Sequence, residues 1–504
     1  MTITPINTLA SVMAVALLAG CNVSVSNITD ENNSSNNNNS SGNNSSQPTE
    51  PDEIASRYHG KWRSDAYGSA LSIDKDSITF YQYTSDYCLI SEVREDVTPS
   101  AFTAIYSFDD GDILDVGSNG TKAWHVPARV YEKNAKLPQS CIDNLIPTTA
   151  QNNYNRNPER DLDVFLQTFQ EYYLDFGLEN VDWTLVSQEA GNKIDRNSDD
   201  DDLFNALLAA IKPLSDIQVT LSRGGERLAF ENKPSINTQL AEEFIAANNF
   251  SQPLSASETN AMNTYVRAEL DKFADIIDEY VPNGSEMKNR ANDQLSWWTS
   301  DDMGYLYVAK LQEFVGNDDH EDNLDVLDQV MSELLAALDG TDGLIIDLRL
   351  NNKGHDYLAT ALASYFIDTP THLFSKQTRL GTGRTPMLDI TVAPRGAKYS
   401  KPLILLASST TTAAAELFAL MMRERGQVTI IGEKTQGSFS NALAKQLPNG
   451  FTFSLSNEYY LTPDDKWFEN SGLPVNTTQA FFTKTQRDAN RDDALQRAID
   501  LIED

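Results

Sequence analysis

The sequence predicts an α/β domain preceded by a helical segment and a small all-β domain. Three observations carry this. From Met303 onward, continuous apolar runs such as Gly343-Leu344-Ile345-Ile346-Asp347-Leu348 and Leu403-Ile404-Leu405-Leu406 alternate with amphipathic stretches over 324–338, 357–366 and 413–423. Strands buried on both faces and joined by helices read in this way. Between 158 and 300 apolar residues recur at helical spacing, and Leu162, Phe165, Leu166, Phe169, Tyr172 and Tyr173 share one face behind Asn157-Pro158. Between 53 and 150 the apolar runs are short and punctuated by turn residues.

The all-β domain reads as an antiparallel barrel or sandwich. Its strands are expected at Ala70-Leu71-Ser72-Ile73, Ser77-Ile78-Thr79-Phe80-Tyr81 and Phe102-Thr103-Ala104-Ile105-Tyr106, and it has no catalytic spacing. Asp195-x-Asn197-x-Asp199-x-Asp201 has the look of a calcium loop, but Asp200 stands at the turn glycine and Ala206 at the twelfth-position Glu. Acidic residues capping a helix start explain it better.

Composition narrows the function classes. Of 504 residues, 39 are Lys or Arg and 73 Asp or Glu, a net charge of −34. Such a chain repels a phosphate backbone, so nucleic acid is not expected as a partner. No apolar run reaches the ~18 residues that span a bilayer. Three cysteines are too few for a cysteine-rich zinc module, and His59, His125, His320 and His372 stand isolated, so neither metal nor cofactor is expected.

Residues 9–20 form a short apolar segment ending in Leu18-Ala19-Gly20-Cys21. This resembles a bacterial lipoprotein signal, although residues 1–9 lack Lys and Arg. The resemblance implies a signal peptide over 1–20, a lipid on Cys21, and a cell-envelope location in the periplasm or outer membrane. Membrane contact would then run through the lipid alone. The Asn/Ser-rich tract that follows, within 21–52, cannot offset its ordering entropy by burial and reads as a tether. Export would bring Cys88 and Cys141 into an oxidising compartment and favours a disulfide between them, two free buried thiols being the alternative. The expected organisation is then 1–20, 21–52, a β domain over 53–150, a helical part over 158–300, and an α/β domain over 301–504.

Six further motifs point to one family. Gly343-Leu344-Ile345-Ile346-Asp347-Leu348-Arg349-x-Asn351, Thr411-x-Ala413-Ala414-Ala415-Glu416, Ile431-Gly432-Glu433-Lys434-Thr435-x-Gly437, Leu447-Pro448-Asn449-Gly450 and Glu469-Asn470-Ser471-Gly472-Leu473-Pro474 occur in order, after Leu214-Ser215-Asp216-x-x-Val219. Together they resemble the tail-specific, or C-terminal-processing, serine peptidases in their tricorn-like branch. The resemblance implies a ClpP/crotonase-like α/β fold, peptide-bond hydrolysis and a polypeptide substrate.

It also assigns positions. The nucleophile falls at Ala413, which cannot attack a carbonyl. The tricorn-like base falls at Gln218, and the lysine base of the other branch at Ser438. Glu469 keeps the carboxylate of the tetrad. Gly354 and Ala414 keep the oxyanion donors, with Lys353 replacing a glycine beside them. Loss of nucleophile and base together costs a hydrolase roughly a million-fold in turnover.

Three readings follow: a degenerate peptidase that binds polypeptide; an active serine endopeptidase with a relocated nucleophile; and a non-enzymatic structural lipoprotein whose β domain does the binding. The second would pair Ser409 or Thr412 with His355. Loop hydroxyls bonded to backbone and a surface histidine are the plain alternative for those three residues.

Overall fold

Met303–Val308, Gly343–Asp347, Leu403–Ala407, Val428–Gly432 and Thr477–Thr478 lie parallel in a seven-stranded sheet, extended on one side by the antiparallel strands Leu295–Thr299 and Lys288–Arg290. The computed structural model describes residues 53–103, 105–109, 113–116, 129–317 and 319–503. The signal-like segment, the tether, Cys21 and His125 lie outside the described residues.

The period of two along these strands sorts the core into two faces. Leu306, Leu344, Ile346, Leu403, Leu405 and Ile430 join one cluster with helices His320–Ala337, Asp356–Ala363 and Ala414–Arg425. Tyr305, Ile345, Ile404, Leu406 and Ile431 join the other with Ile236–Asn248, Ala256–Asp278 and Asp493–Glu503. The fold class is the expected α/β one.

The division at 300/301 does not describe a structural seam. Trp298 pairs with Tyr305 across neighbouring strands of the same sheet. A four-stranded sheet also mixes both parts, in the order Glu226–Ala229, Thr220–Arg223, Thr452–Ser456, Ala442–Gln446. Its first hairpin turns at Gly224 and Gly225, both with positive φ. The helix Pro158–Tyr172 has the predicted face and start: the Asn157 side chain accepts from Arg160 N, and Phe165 packs 4.8 Å from Phe453 of this sheet.

The N-terminal domain departs from expectation. It is one open eight-stranded sheet among the described residues, not a barrel or sandwich, and its last pairing, Cys88–Arg94 with Leu145–Ile146, is parallel. Phe102 does not open a strand: Pro99–Thr103 is helical, with the Thr98 hydroxyl accepting from Ala101 N, and the strand begins at Tyr106. A helix-compatible Pro and a capping Thr outweigh the β-branched local pattern. The Cys88 and Cys141 sulfurs are bonded.

This domain is bolted to the rest. Lys445 Nζ donates to Tyr67 O and Gly68 O at 2.7 and 2.9 Å, Tyr172 OH donates to Tyr83 O at 2.9 Å, and Tyr67 OH reaches Glu458. Glu458 in turn pairs with Lys376 at 3.0 Å, both buried. The acidic run at 195–202 caps helix Asp200–Ile211 through an Asp199/Asp202 capping box, as expected. No group of three or more His, Cys, Asp or Glu suited to a metal occurs among the described residues, and no helix among them is long and apolar enough to cross a membrane.

Candidate active site

The strand Leu403–Ala407 runs into helix Ala414–Arg425 through a tight turn with Ala413 at its apex. Ala413 has φ 54° and ψ −125°, a conformation that costs a residue with a Cβ about 1–3 kcal/mol. A strained strand-to-helix turn of this kind is how α/β hydrolases lift a nucleophile off the sheet. Here it lifts a methyl group.

The surrounding motifs hold that strain. Ser408 Oγ donates to Arg349 O at 2.6 Å, Thr411 Oγ1 to Leu348 O at 2.9 Å, and Thr412 N to Asn351 O at 3.1 Å, which fastens the turn to the loop after Gly343–Asp347. Glu416, fully buried in the first helical turn, accepts from Gly437 N and Ser438 N at 2.6 and 2.8 Å. Ser438 O then accepts from Ala413 N at 3.1 Å. The helix-opening motif and the Gly437 turn are therefore one structural unit around residue 413.

A cleft of about 330 Å³ opens over the apex. Gln218, Arg227, Glu231, Lys353, Gly354, His355, Thr412 and Ala413 are among its lining residues. Gly354 forms a parallel bridge with Leu311: Leu311 N donates to Lys353 O and His355 N to Leu311 O. That pattern leaves Gly354 N unused, and Ala414 N, at the start of its helix, likewise has no acceptor among the described residues. The two positions are adjacent: a Cβ built on Gly354 would stand 3.0 Å from the Ala414 Cβ and 2.5 Å from that of Leu311. Only glycine fits there.

The base side is different. Gln218 lines the cleft, its N–H donating to Asp216 Oδ1 at 2.9 Å and its carbonyl accepting from Ser454 Oγ at 2.6 Å. Glu469 does not line this cleft. It lies with Asp216, Tyr173 and Ser438 around a neighbouring space of about 10 Å³, enough for one water, that shares Ile217 and Gln436 with the cleft. Glu469 Oε2 accepts from Phe439 N and Ser440 N at 3.1 and 3.2 Å. Burial, then the nearby Asp216 and Glu416 charges, push its carboxyl well above the usual range. Burial raises Asp216 as well, against hydrogen bonds that lower it. Glu416 is pushed up to about 7 by burial, its hydrogen bonds from Thr435, Ser438 and Gly437 offsetting part of the rise.

The relocated nucleophiles are not assembled. Ser409 Oγ donates to Pro234 O at 2.9 Å and accepts from Gln239 Nε2 at 3.2 Å, holding the helix start near Ile236 rather than meeting His355. Thr412 Oγ1 and Ser438 Oγ are buried with no hydrogen-bond partner among the described residues, so neither meets a base there. The His355 ring lies beside Tyr357, with ring centroids 5.6 Å apart. His372 is not isolated: its Nε2 lies 2.8 Å from Ser375 Oγ, but that serine is buried and outside the cleft. Sequence reasoning missed Arg227, whose only signal was the Gly224-Gly225 hairpin that carries it to the rim.

Residues 302–478, which hold the elbow, the Gly354 loop and Glu469, match Peptidase family S41. This region is an S41 peptidase domain. Over 146 residues, 28% of this chain, it is 30% identical to the carboxy-terminal processing protease CtpA of Bacillus subtilis (strain 168), covering 30% of that protein. Over 175 residues, 35% of this chain, it is 24% identical to a carboxyl-terminal-processing protease of Picosynechococcus sp., covering 38% of it. The chain thus spans about a third of the length of these curated relatives. A solved structure of a candidate peptidase from Parabacteroides merdae ATCC 43184 shares the fold, with a TM-score of 0.51 at 20% identity over 69% of this chain and 97% of that one.

Proposed function

We propose that this S41 chain binds extended polypeptide in its cleft without hydrolysing it. The observation that carries the reading is Ala413 at the apex of an intact, strained elbow, with an amide, Gln218, in the base position. Acyl transfer needs an activated nucleophile, and none of Ser409, Thr412 and Ser438 meets a base among the described residues. What persists is recognition: a cleft of about 330 Å³ with an unused Gly354 N–H on its wall, in which a polypeptide could lie. The chain is held at the cell envelope by a lipid on Cys21, a location with which the Cys88–Cys141 disulfide agrees.

The test uses the full chain and an unfolded polypeptide such as casein. Fluorescence anisotropy should report binding while the casein mass stays unchanged over a long incubation. Cleavage that disappears in a variant of a cleft residue would overturn the reading. For the anchor, fatty-acid label in the expressed chain should vanish on Cys21→Ser, and a chain labelled equally after that change would contradict it.

A further inference from the structure

Of the exposed large apolar side chains among the described residues, three fall in one hairpin: Leu380, Met387 and Leu388, at 43, 45 and 41% exposure. The hairpin folds strand Thr371–Leu380 back through Gly383–Arg384 to the strand Leu388–Val392. From 380 to 389 every residue except Thr385 is exposed. Leu388 stands opposite Lys376, and Leu380, further along that strand, lies on the same face. Arg379 and Arg384 pair on the other face, the Arg384 guanidinium 3.7 Å from the Tyr459 ring centroid and 5.9 Å from that of Trp467. Neither arginine meets a carboxylate among the described residues: Arg379 donates to Tyr173 O and, at 3.2 and 3.0 Å, to Gly381 O and Gln170 O, while Arg384 rests on the rings. In a chain with 73 Asp and Glu, none occurs between Asp368 and Asp389. Asp389 itself is engaged, accepting from Ser375 Oγ at 2.8 Å.

We infer that this hairpin docks on a phospholipid surface bearing anionic headgroups. Leu380, Met387 and Leu388 enter the boundary between headgroups and acyl chains, and Arg384 meets the phosphates. Exposed apolar side chains flanked by arginine and aromatic rings suit that boundary, where one part of the contact is dry and the other wet. A guanidinium also offers paired N–H donors that match phosphate oxygens. The net charge of −34 does not forbid the contact, because charges more than about 8 Å from the surface are screened at physiological ionic strength. The surface therefore meets the acid-free tip and not the whole acidic body. A second copy of the chain fits the patch less well. A two-fold contact would set the arginines of both hairpins against each other, and two bodies of the same large charge repel. The contact is distinct from the lipid on Cys21. Residues 21–52 span up to about 100 Å when extended, so an anchor there leaves the orientation of the body open. The hairpin selects the face that meets the bilayer, and it does so whether or not the cleft binds polypeptide.

Vesicle flotation of the full chain carrying Cys21→Ser, which cannot be anchored through that thiol, tests this. The vesicles are phosphatidylcholine alone, or phosphatidylcholine with a third of phosphatidylglycerol. The chain should bind the anionic vesicles at least about tenfold tighter than the neutral ones. Replacing Leu380, Met387 and Leu388 together by Gln should weaken binding to the anionic vesicles by at least about tenfold, with an unchanged circular dichroism spectrum. Met387→Gln alone, outside both strands, should act in the same direction. Arg384→Gln should lose several-fold on anionic vesicles and little on neutral ones. Failure of the Cys21→Ser chain to float with either vesicle would overturn the inference, as would equal flotation of the triple variant. Sedimentation equilibrium without lipid should find a monomer. A dimer that the triple variant dissociates would assign the patch to a second copy and overturn the lipid surface.

Discussion

Two adjoining spaces in this molecule, which share Ile217 and Gln436, have opposite character. The cleft over Ala413 is lined by donors: Gly354, whose N–H has no acceptor among the described residues, and the cations Lys353 and Arg227. The water-sized space beside it presents carboxyls, Asp216 and Glu469, with Glu416 close behind, and most of their oxygens are tied to backbone N–H groups. The donor side is roomy, about 330 Å³, which suits a ligand. The acidic side holds no more than a water, and its carboxyls accept backbone bonds, which suits a scaffold.

The strongest way to break this contrast is to restore the link. Ala413→Ser places Oγ on a Cβ that already tolerates the strained backbone, and Gln218→His supplies a base from the cleft wall. The double variant should hydrolyse casein at least roughly a thousand-fold above the wild type; no gain would mean that the two positions are not catalytically aligned.

Next in size is Gly354→Val. A Cβ there would stand 2.5 Å from Leu311 Cβ and 2.8 Å from Leu311 O, so the variant should lose about 3 kcal/mol in denaturant unfolding. An unchanged midpoint would show that the Gly354 loop yields easily and does not hold its N–H rigidly.

Glu469→Gln sharpens the acidic side. A buried carboxyl whose folded pKa is raised binds its proton more tightly folded than unfolded, so its cost to stability is absent near the ordinary carboxyl pKa and grows as pH rises. The amide keeps an acceptor for Phe439 N and Ser440 N. The variant should therefore melt higher than wild type at about pH 8, with the difference closing toward about pH 5; a pH-independent difference would deny the raised carboxyl. Arg196→Ala is the control at the small end. Its ion pair with Glu159 sits on an 82% exposed side chain and should contribute less than about 0.5 kcal/mol.

Much of the core was legible because strands such as 343–347 and 403–407 are apolar on both faces and nothing else explains them. The elbow was legible through the motif resemblance of 411–416, and the structure gives its reason: Glu416, in the first helical turn after Ala413, reaches the Gly437 turn. Less visible was the hairpin Thr220–Arg223/Glu226–Ala229, whose partners lie more than two hundred residues away in Thr452–Ser456. Local pattern carries no information about such pairing, so the helical part read as separable when it is woven into the sheet. The hydroxyl run at 408–412 was ambiguous for a related reason. Ser408 and Thr411 bond backbone one strand over, Ser409 bonds a helix start from a distant segment, and only the fold reveals which acceptor each one meets.

The central claim is that no activated hydroxyl remains at this cleft, and reaction of the full chain with a fluorophosphonate reads it directly. Mass spectrometry should find the wild-type protein unlabelled and the Ala413→Ser, Gln218→His protein labelled at residue 413. Label on wild-type Thr412, Ser409 or Ser438, matched by casein cleavage, would contradict the account.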